Sequence, residues 1–207
     1  MPHYEDKMRR LARGSELVLA SHNQGKLREF SLLLAESGIT VRSAAALNLP
    51  EPEETAADFA GNALIKAAAA AKATGLPALA DDSGFCVAAL NGKPGVYSAR
   101  WAGPQRDMTL AMNRVYEAMQ ASGSADKGAS FVMVLCVAWP DGAYRMVEAA
   151  CHGYVAWPPR GTHGHGYDPI FIPEGESRRF AEMTEEEKNR FSHRGQAMAR
   201  FLQDCVA

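Results

Sequence analysis

Four short stretches of this chain combine residue types that can handle phosphate, metal or a flat ring. The first is Ser21-His22-Asn23-Gln24-Gly25-Lys26, set between an apolar run and a helical pattern. Backbone N–H groups at a helix start favour anions, and a lysine adds positive charge, so this turn is a phosphate-binding candidate. The plainer reading is a strand-to-helix turn with a surface lysine. A Walker loop is excluded, because GxxxxGK[ST] needs glycine where Ala20 stands and Ser or Thr where Leu27 stands. The second stretch is Asp81-Asp82-Ser83-Gly84. Adjacent carboxylates repel unless a cation or hydrogen bonds offset the cost. Mg²⁺ takes one or two carboxylates together with substrate phosphates. The alternative is a polar turn whose aspartates bond to local N–H groups. The nearby loop with Glu51, Glu53 and Glu54 offers a further ligand or, taken alone, a solvated run of charge.

The third stretch, from Gly161 through Thr162, His163, Gly164, His165, Gly166 and Tyr167 to Asp168, contains three glycines that let a ligand approach the backbone. His165 and Tyr167 offer rings to stack on a base. Two histidines at alternate loop positions without further partners do not make a zinc site. The fourth stretch joins Lys188 to Ser192-His193-Arg194-Gly195, a cationic corner or the solvent face of a helix. Taken together, phosphate binding, metal binding and ring contact are the parts of a nucleotide-hydrolysing site.

The elements that must position these residues alternate in the first half of the chain. Residues 16–20 read as a buried strand, 21–25 as a turn, and 26–35 as a helix by apolar spacing. Residues 40–43 are a second strand. The prolines at 50 and 52 make 49–54 a rigid acidic loop. Thr55 with Asp58 matches a helix-start pattern, and the alanine-rich run 59–74 is a strong helix stopped by Gly75 and Pro77. Residues 78–90 read as a short strand, the two aspartates, a turn and a further apolar run. A helix is expected over 108–121, and paired strands over 131–139 and 144–156 about the turn Pro140-Asp141-Gly142. Thr184 and Glu187 form a capping box that opens a mostly helical tail. The pattern predicts a mixed α/β fold with parallel and antiparallel strand pairs.

The 207 residues suit one domain, 47% hydrophobic and 22% charged, as in ordinary globular proteins. Residues 1–15 are polar and basic and are expected to be a flexible extension ahead of a single domain over 16–207. They lack a signal peptide's apolar run. No stretch is apolar enough to span a membrane. A net charge of −2 gives no nucleic-acid footprint. Cys86, Cys136, Cys151 and Cys205 show no metal-ligand spacing and suit a reducing compartment, so a cytoplasmic protein is expected.

Five ordered strings, LVLASHNQGKLREF, FAGNALIKAAAAAKATGLPALADDSG, LNGKPGVYSARWAG, GHGYDPIF and EMTEEEKNRFSHRGQA, closely resemble the inosine triphosphate pyrophosphatase family, called Ham1-like or RdgB-like. The resemblance covers most of the chain, from Glu16 to about Phe201. It implies a mixed, twisted central sheet flanked by helices, two lobes with the active site in the cleft between them, a homodimer, and a requirement for Mg²⁺. It implies hydrolysis of non-standard purine nucleoside triphosphates (ITP, dITP, XTP) to the monophosphate and pyrophosphate, by attack of water on the α-phosphorus. Carried over, Ser21, His22, Asn23, Gln24, Gly25 and Lys26 hold the triphosphate. Asp82 is the catalytic carboxylate and a metal ligand, with Ser83 touching substrate, and Glu53 or Glu54 is the second metal-associated carboxylate. His165, Gly166, Tyr167 and Asp168 contact the nucleoside. Lys188, His193 and Arg194 complete the base and phosphate contacts, with His193 and Arg194 as charged donors to a 6-oxo group.

Three departures stand out. SHN replaces the commoner TGN, Gly61 stands where many members carry glutamate, and His165 replaces a phenylalanine. Two other classes compete: a nucleotide-binding regulatory protein without catalysis, opposed by the intact DDSG and both lysines, and a nucleic-acid binder, opposed by the net charge.

Overall fold

Three strands and two helices near the N-terminus set the architecture in the computed structural model of the chain, which describes residues 3–207. They are β2 (Glu16–Leu19), α1 (Gln24–Leu34), β3 (Thr40–Ser43), α2 (Phe59–Thr74) and β4 (Ala78–Val87). β2 is central, pairing in parallel with β3 and with β4. The chain therefore moves one way across the sheet from β2 to β3 and back past β2 to reach β4. Right-handed crossovers then place α1 and α2 on opposite faces.

The α2 helix starts one turn later than the Thr55 pattern suggests. Asp58 is the cap, its Oδ1 accepting the Gly61 N–H, and Gly75 closes the far end in the left-handed conformation. Thr55 stays in the preceding loop. Ala63, Ala67, Ala70 and Ala71 recur at helical spacing and are buried with Val18, Ala78 and Ala80. Methyl-sized side chains let this helix lie close on the strands.

β4 is also longer than expected. A short strand ending in an aspartate turn is not what forms: one ten-residue strand runs through Asp81, Asp82, Ser83 and Gly84 to Val87. Its far end is stabilised by β5 (Pro94–Gly95), which pairs antiparallel with Phe85 and Cys86. Strand alternation puts Ala78, Ala80 and Asp82 on one face and Leu79 and Asp81 on the other.

The remaining elements are β1 (Tyr4–Glu5), α3 (Met108–Ser122), β6 (Gly128–Ala138), β7 (Ala143–Val155), β8 (Phe171–Pro173), α4 (Glu185–Asn189) and α5 (His193–Cys205). The sheet runs β1-β7-β6-β4-β2-β3, with β5 on β4 and β8 on β7. Parallel pairs (β1–β7, β2–β3, β2–β4) and antiparallel pairs (β4–β5, β7–β8) coexist, as the alternating pattern predicts. The N-terminal stretch set apart as an extension carries structure of its own. Tyr4 and Glu5 pair with Ala143 and Tyr144, and Leu11 is buried and bridges to Val206.

The chain divides into two compact units. The first comprises residues up to Asp82, Val134–Glu148 and Ala197–Ala207, and its core includes the alanine face of α2. The second comprises Ser83–Met133 and Ala149–Gln196. Its core is aromatic, built on Phe85, Phe131, Tyr167, Phe171 and Phe180. Phe85 and Tyr167 stack at 4.8 Å between centroids, and Phe131 meets Phe171 edge-on at 5.0 Å.

Candidate active site

In the first unit, strand parity decides which lysine each aspartate meets. Asp81, on the face away from α2, is buried, and both its oxygens accept from Lys26 Nζ of α1, at 2.8 and 2.7 Å. Asp82 faces α2. Its Oδ1 lies 3.8 Å from Lys66 Nζ, and Lys66 also donates to Glu54 Oε1 at 2.7 Å. A Lys66 ammonium thus gathers Asp82 and Glu54 at one place, while Glu53 is exposed. Of the two candidate glutamates, Glu54 is the one that shares Lys66 with Asp82. Lys66 itself was missed in the sequence, hidden in the alanine run. The signal that finds it is helical spacing: it flanks the buried Ala63–Ala67–Ala70 stripe, and so reaches the same strand face.

The turn before α1 is held by its own side chains. Asn23 Oδ1 accepts the N–H groups of Gly25 (2.8 Å) and Lys26 (3.2 Å), and Ser21 Oγ accepts the N–H of Asn23 (3.1 Å). This is an N-cap, which satisfies donors that would otherwise face an anion. Gln24 opens the helix and is exposed. His22 is turned onto the acidic loop, with Nδ1 2.9 Å from Glu51 Oε1 and Nε2 3.0 Å from the Leu49 carbonyl oxygen. Its ring is thus engaged by the acidic loop.

Asp82 and Glu54 are two oxygen-donor carboxylates gathered at Lys66. Among the described residues no three His, Cys, Asp or Glu side chains converge as a metal cage. A two-carboxylate set is what Mg²⁺ uses when substrate phosphates fill the rest of its shell.

In the second unit, a cavity of about 230 Å³ gathers the other candidates. Ser83, His165, Gly166, Tyr167 and Asp168 line it, and so do Lys188, His193 and Arg194. Lys188 is buried and donates to Asp168 Oδ2 (3.1 Å) and Glu185 Oε1 (2.8 Å). Burial works against the Lys188 charge, but Glu185 and Asp168 outweigh it and raise its pKa. Burial likewise opposes the charge on Glu185, but the Lys188 hydrogen bond and the nearby cations outweigh it and lower its pKa. Asp168 Oδ2 also accepts the His165 N–H at 3.0 Å. A side chain at Gly164 would run into that carboxylate, and Gly164 has φ +74°, so the loop needs glycine there.

Burial shapes two of the candidate side chains in this unit. Tyr167 is 3% exposed and stacks on Phe85, with its hydroxyl donating to the Ser98 carbonyl at 2.8 Å. It frames the cavity from within the core. His193 is not a charged donor. Burial, then Arg194, Lys188 and His165, depress its pKa to about 3, so the ring is neutral at physiological pH. It stacks on Phe131 at 5.0 Å and 12°, and its buried Nδ1 has no hydrogen-bond partner. Arg194 remains as the cationic donor of the pair.

Sequence reading also missed Ser98, Glu185 and Phe131. Ser98 Oγ accepts the Phe85 N–H (2.8 Å) and donates to the Gly95 carbonyl (2.6 Å), tying β4 and β5 to the cavity wall. Glu185 lies three residues before Lys188, a helical spacing that pairs opposite charges.

The chain matches the sequence profile of the Ham1 family over residues 17–204. It is 67% identical to the dITP/XTP pyrophosphatase of Gluconobacter oxydans (strain 621H), over 96% of this chain and 95% of that protein. It is 53% identical to the protein of that name from Rhodospirillum centenum, over 94% and 96%. Among solved structures, a HAM1 protein from Coxiella burnetii matches with a TM-score of 0.88 and 43% identity, over 91% of this chain and 96% of the other. The Staphylococcus aureus Ham1 protein matches at 0.84 and 34%, over the same shares.

Proposed function

Because the chain belongs to the Ham1 family, we propose that it hydrolyses non-standard purine nucleoside triphosphates, dITP, XTP and ITP among them, to the monophosphate and pyrophosphate. The observation that carries the reading is the convergence of Asp82 and Glu54 on Lys66. Such a pair holds a divalent cation, and one carboxylate of it can orient or deprotonate a water.

Asp82 and Glu54 are the groups that would hold Mg²⁺. Bound there, the ion would neutralise phosphate oxygens and acidify water. Asp82 aligns the attacking water with the α-phosphorus and takes its proton. Lys26 and Lys66, the cations beside Asp81 and Asp82, offset the charge that builds on the departing pyrophosphate. Ser21, Asn23, Gln24 and Gly25 provide the polar turn for the phosphate chain. Lys188 is engaged by two carboxylates and belongs to base recognition more than to charge relief.

The base is read by polarity. A 6-oxopurine offers an acceptor at O6 and a donor at N1, whereas adenine offers a 6-amino donor and an N1 acceptor. Arg194 donates to the oxo group. A neutral His193 carries one donor and one acceptor, and so can take the N1 proton. Against adenine the Arg194 contact is mismatched, donor against donor, and an unsatisfied buried group costs about 1–3 kcal/mol. Asp168 and the Gly166 backbone close the ribose side. The resemblance to the family supports a homodimer that works in the cytoplasm. Separately, no described helix is long and apolar enough to cross a membrane.

The deciding assay is product analysis. ITP incubated with the protein and Mg²⁺ should give IMP and pyrophosphate. IDP with orthophosphate would place cleavage at the wrong bond, and absence of turnover would leave only a binding protein.

A further inference from the structure

Both ring nitrogens of His22 face acceptors. Nδ1 is 2.9 Å from Glu51 Oε1, and Nε2 is 3.0 Å from the carbonyl oxygen of Leu49. Each ring nitrogen thus lies within hydrogen-bond distance of the loop, and the tautomer decides which of them donates. The two acceptors flank Pro50, and Pro52 follows Glu51. Proline fixes φ, so a chain held at 49 and 51 has little freedom left before it reaches Glu54. Other bonds hold the rest of the loop. The Leu49 N–H donates to Ala44 (3.0 Å), Glu54 accepts from Lys66 (2.7 Å), and the Ala56 N–H donates to buried Asn62 (3.0 Å). His22 contributes the tie at the loop's other end, from the turn that carries Asn23 and Lys26.

We propose that His22 is a positioning residue: its ring, in contact with the loop at both 49 and 51, straps the acidic loop 49–54 to the phosphate turn and so fixes Glu54 where it shares Lys66 with Asp82. The second half of this statement rests on the reading of Glu54 and Asp82 as the cation-binding pair. The Glu51 side chain is 72% exposed, so water competes for this contact and the strap tunes the site without being indispensable to it.

The test uses the whole chain as His22→Ala, His22→Gln and wild type. Amide hydrogen exchange is followed by mass spectrometry without metal or substrate. The Mg²⁺ concentration for half-maximal pyrophosphate release from ITP is measured alongside KM and kcat. Peptides covering residues 49–56 should exchange about two- to fivefold faster in His22→Ala, the scale of an exposed pair. Peptides elsewhere and the thermal midpoint should hold, and the half-saturating Mg²⁺ should rise by a similar factor with kcat near wild type. His22→Gln keeps one donor and should fall in between. Adding Glu51→Ala to His22→Ala should change little more, since the partner is already lost. Unchanged exchange over 49–56 in both variants overturns the strap, whatever the activity. Faster exchange with an unmoved Mg²⁺ requirement upholds the strap and removes Glu54 from cation binding.

Discussion

Each unit holds a group of lysines and carboxylates, and the two groups are balanced differently. In the first unit, Lys26 and Lys66 face Asp81, Asp82 and Glu54, so carboxylates outnumber lysines by one. In the second, Lys188 donates to Asp168 and Glu185, Arg194 lines the same cavity, and His193 is held neutral by burial and by those cations. The first arrangement has a negative excess, with Glu54 open to solvent at its edge, and suits a cation. The second is near neutrality and walled by Phe85, Phe131 and Phe180, which suits an uncharged ring. The same residue types thus serve opposite ends, decided by the count of each and by burial.

The comparison can be broken most directly at Asp82. Asp82→Asn keeps size and removes charge, so kcat should fall about 10²-fold or more, the scale for a positioned acid–base group, while the unfolding midpoint holds. Near-normal turnover in a pyrophosphate assay would remove the first unit from the chemistry.

A paired lysine experiment sharpens the contrast. Lys188→Met leaves buried Asp168 without its cation and should cost about 3 kcal/mol of stability in urea unfolding, as broken buried pairs do. Lys66→Met, at a more open site, should cost less stability, yet lower kcat about tenfold or more through lost charge stabilisation. Equal stability losses would mean that the two groups do not differ in the way described.

The smallest effect concerns acid. The unfolded chain protonates His193 as pH falls below about 6.5, the ordinary histidine value, whereas the folded chain resists until about 3. The unfolded state therefore binds more protons in that window. The residue's contribution is complete above it and is lost as pH falls through it, by about 2 kcal/mol between pH 7 and 5. Urea midpoints at pH 7, 6 and 5 should fall less steeply for His193→Asn than for wild type. Parallel slopes would mean that His193 is not buried as a neutral ring.

Much of this was legible because local signals were strong. Residues 40–43 read as a strand and are one, and Thr184 and Glu187 form the capping box their spacing predicts. The Ser21–Lys26 stretch lies at a strand-to-helix turn, as expected. What local pattern could not supply was the tertiary partner. Asp81 and Asp82 looked like a turn because two adjacent charges disfavour a strand. Lys26 and Lys66, which approach from opposite faces, remove that objection. Asp58 displaced Thr55 as the cap of α2 because its Oδ1 reaches the Gly61 N–H. The protonation state of His193 depends on burial among Arg194, Lys188 and His165, which no spacing reveals.

The alternation along β4 has a consequence for how this gene can vary in length. Asp81 and Asp82 differ only in odd or even position, and that parity alone assigns one to Lys26 and the other to Lys66. Deleting a single residue between Leu79 and Asp81 keeps every charge, yet it exchanges the faces on which the two carboxylates emerge. Length changes within this strand are therefore filtered by their remainder on division by two. A lost pair of residues preserves the assignment, and a lost single residue reverses it.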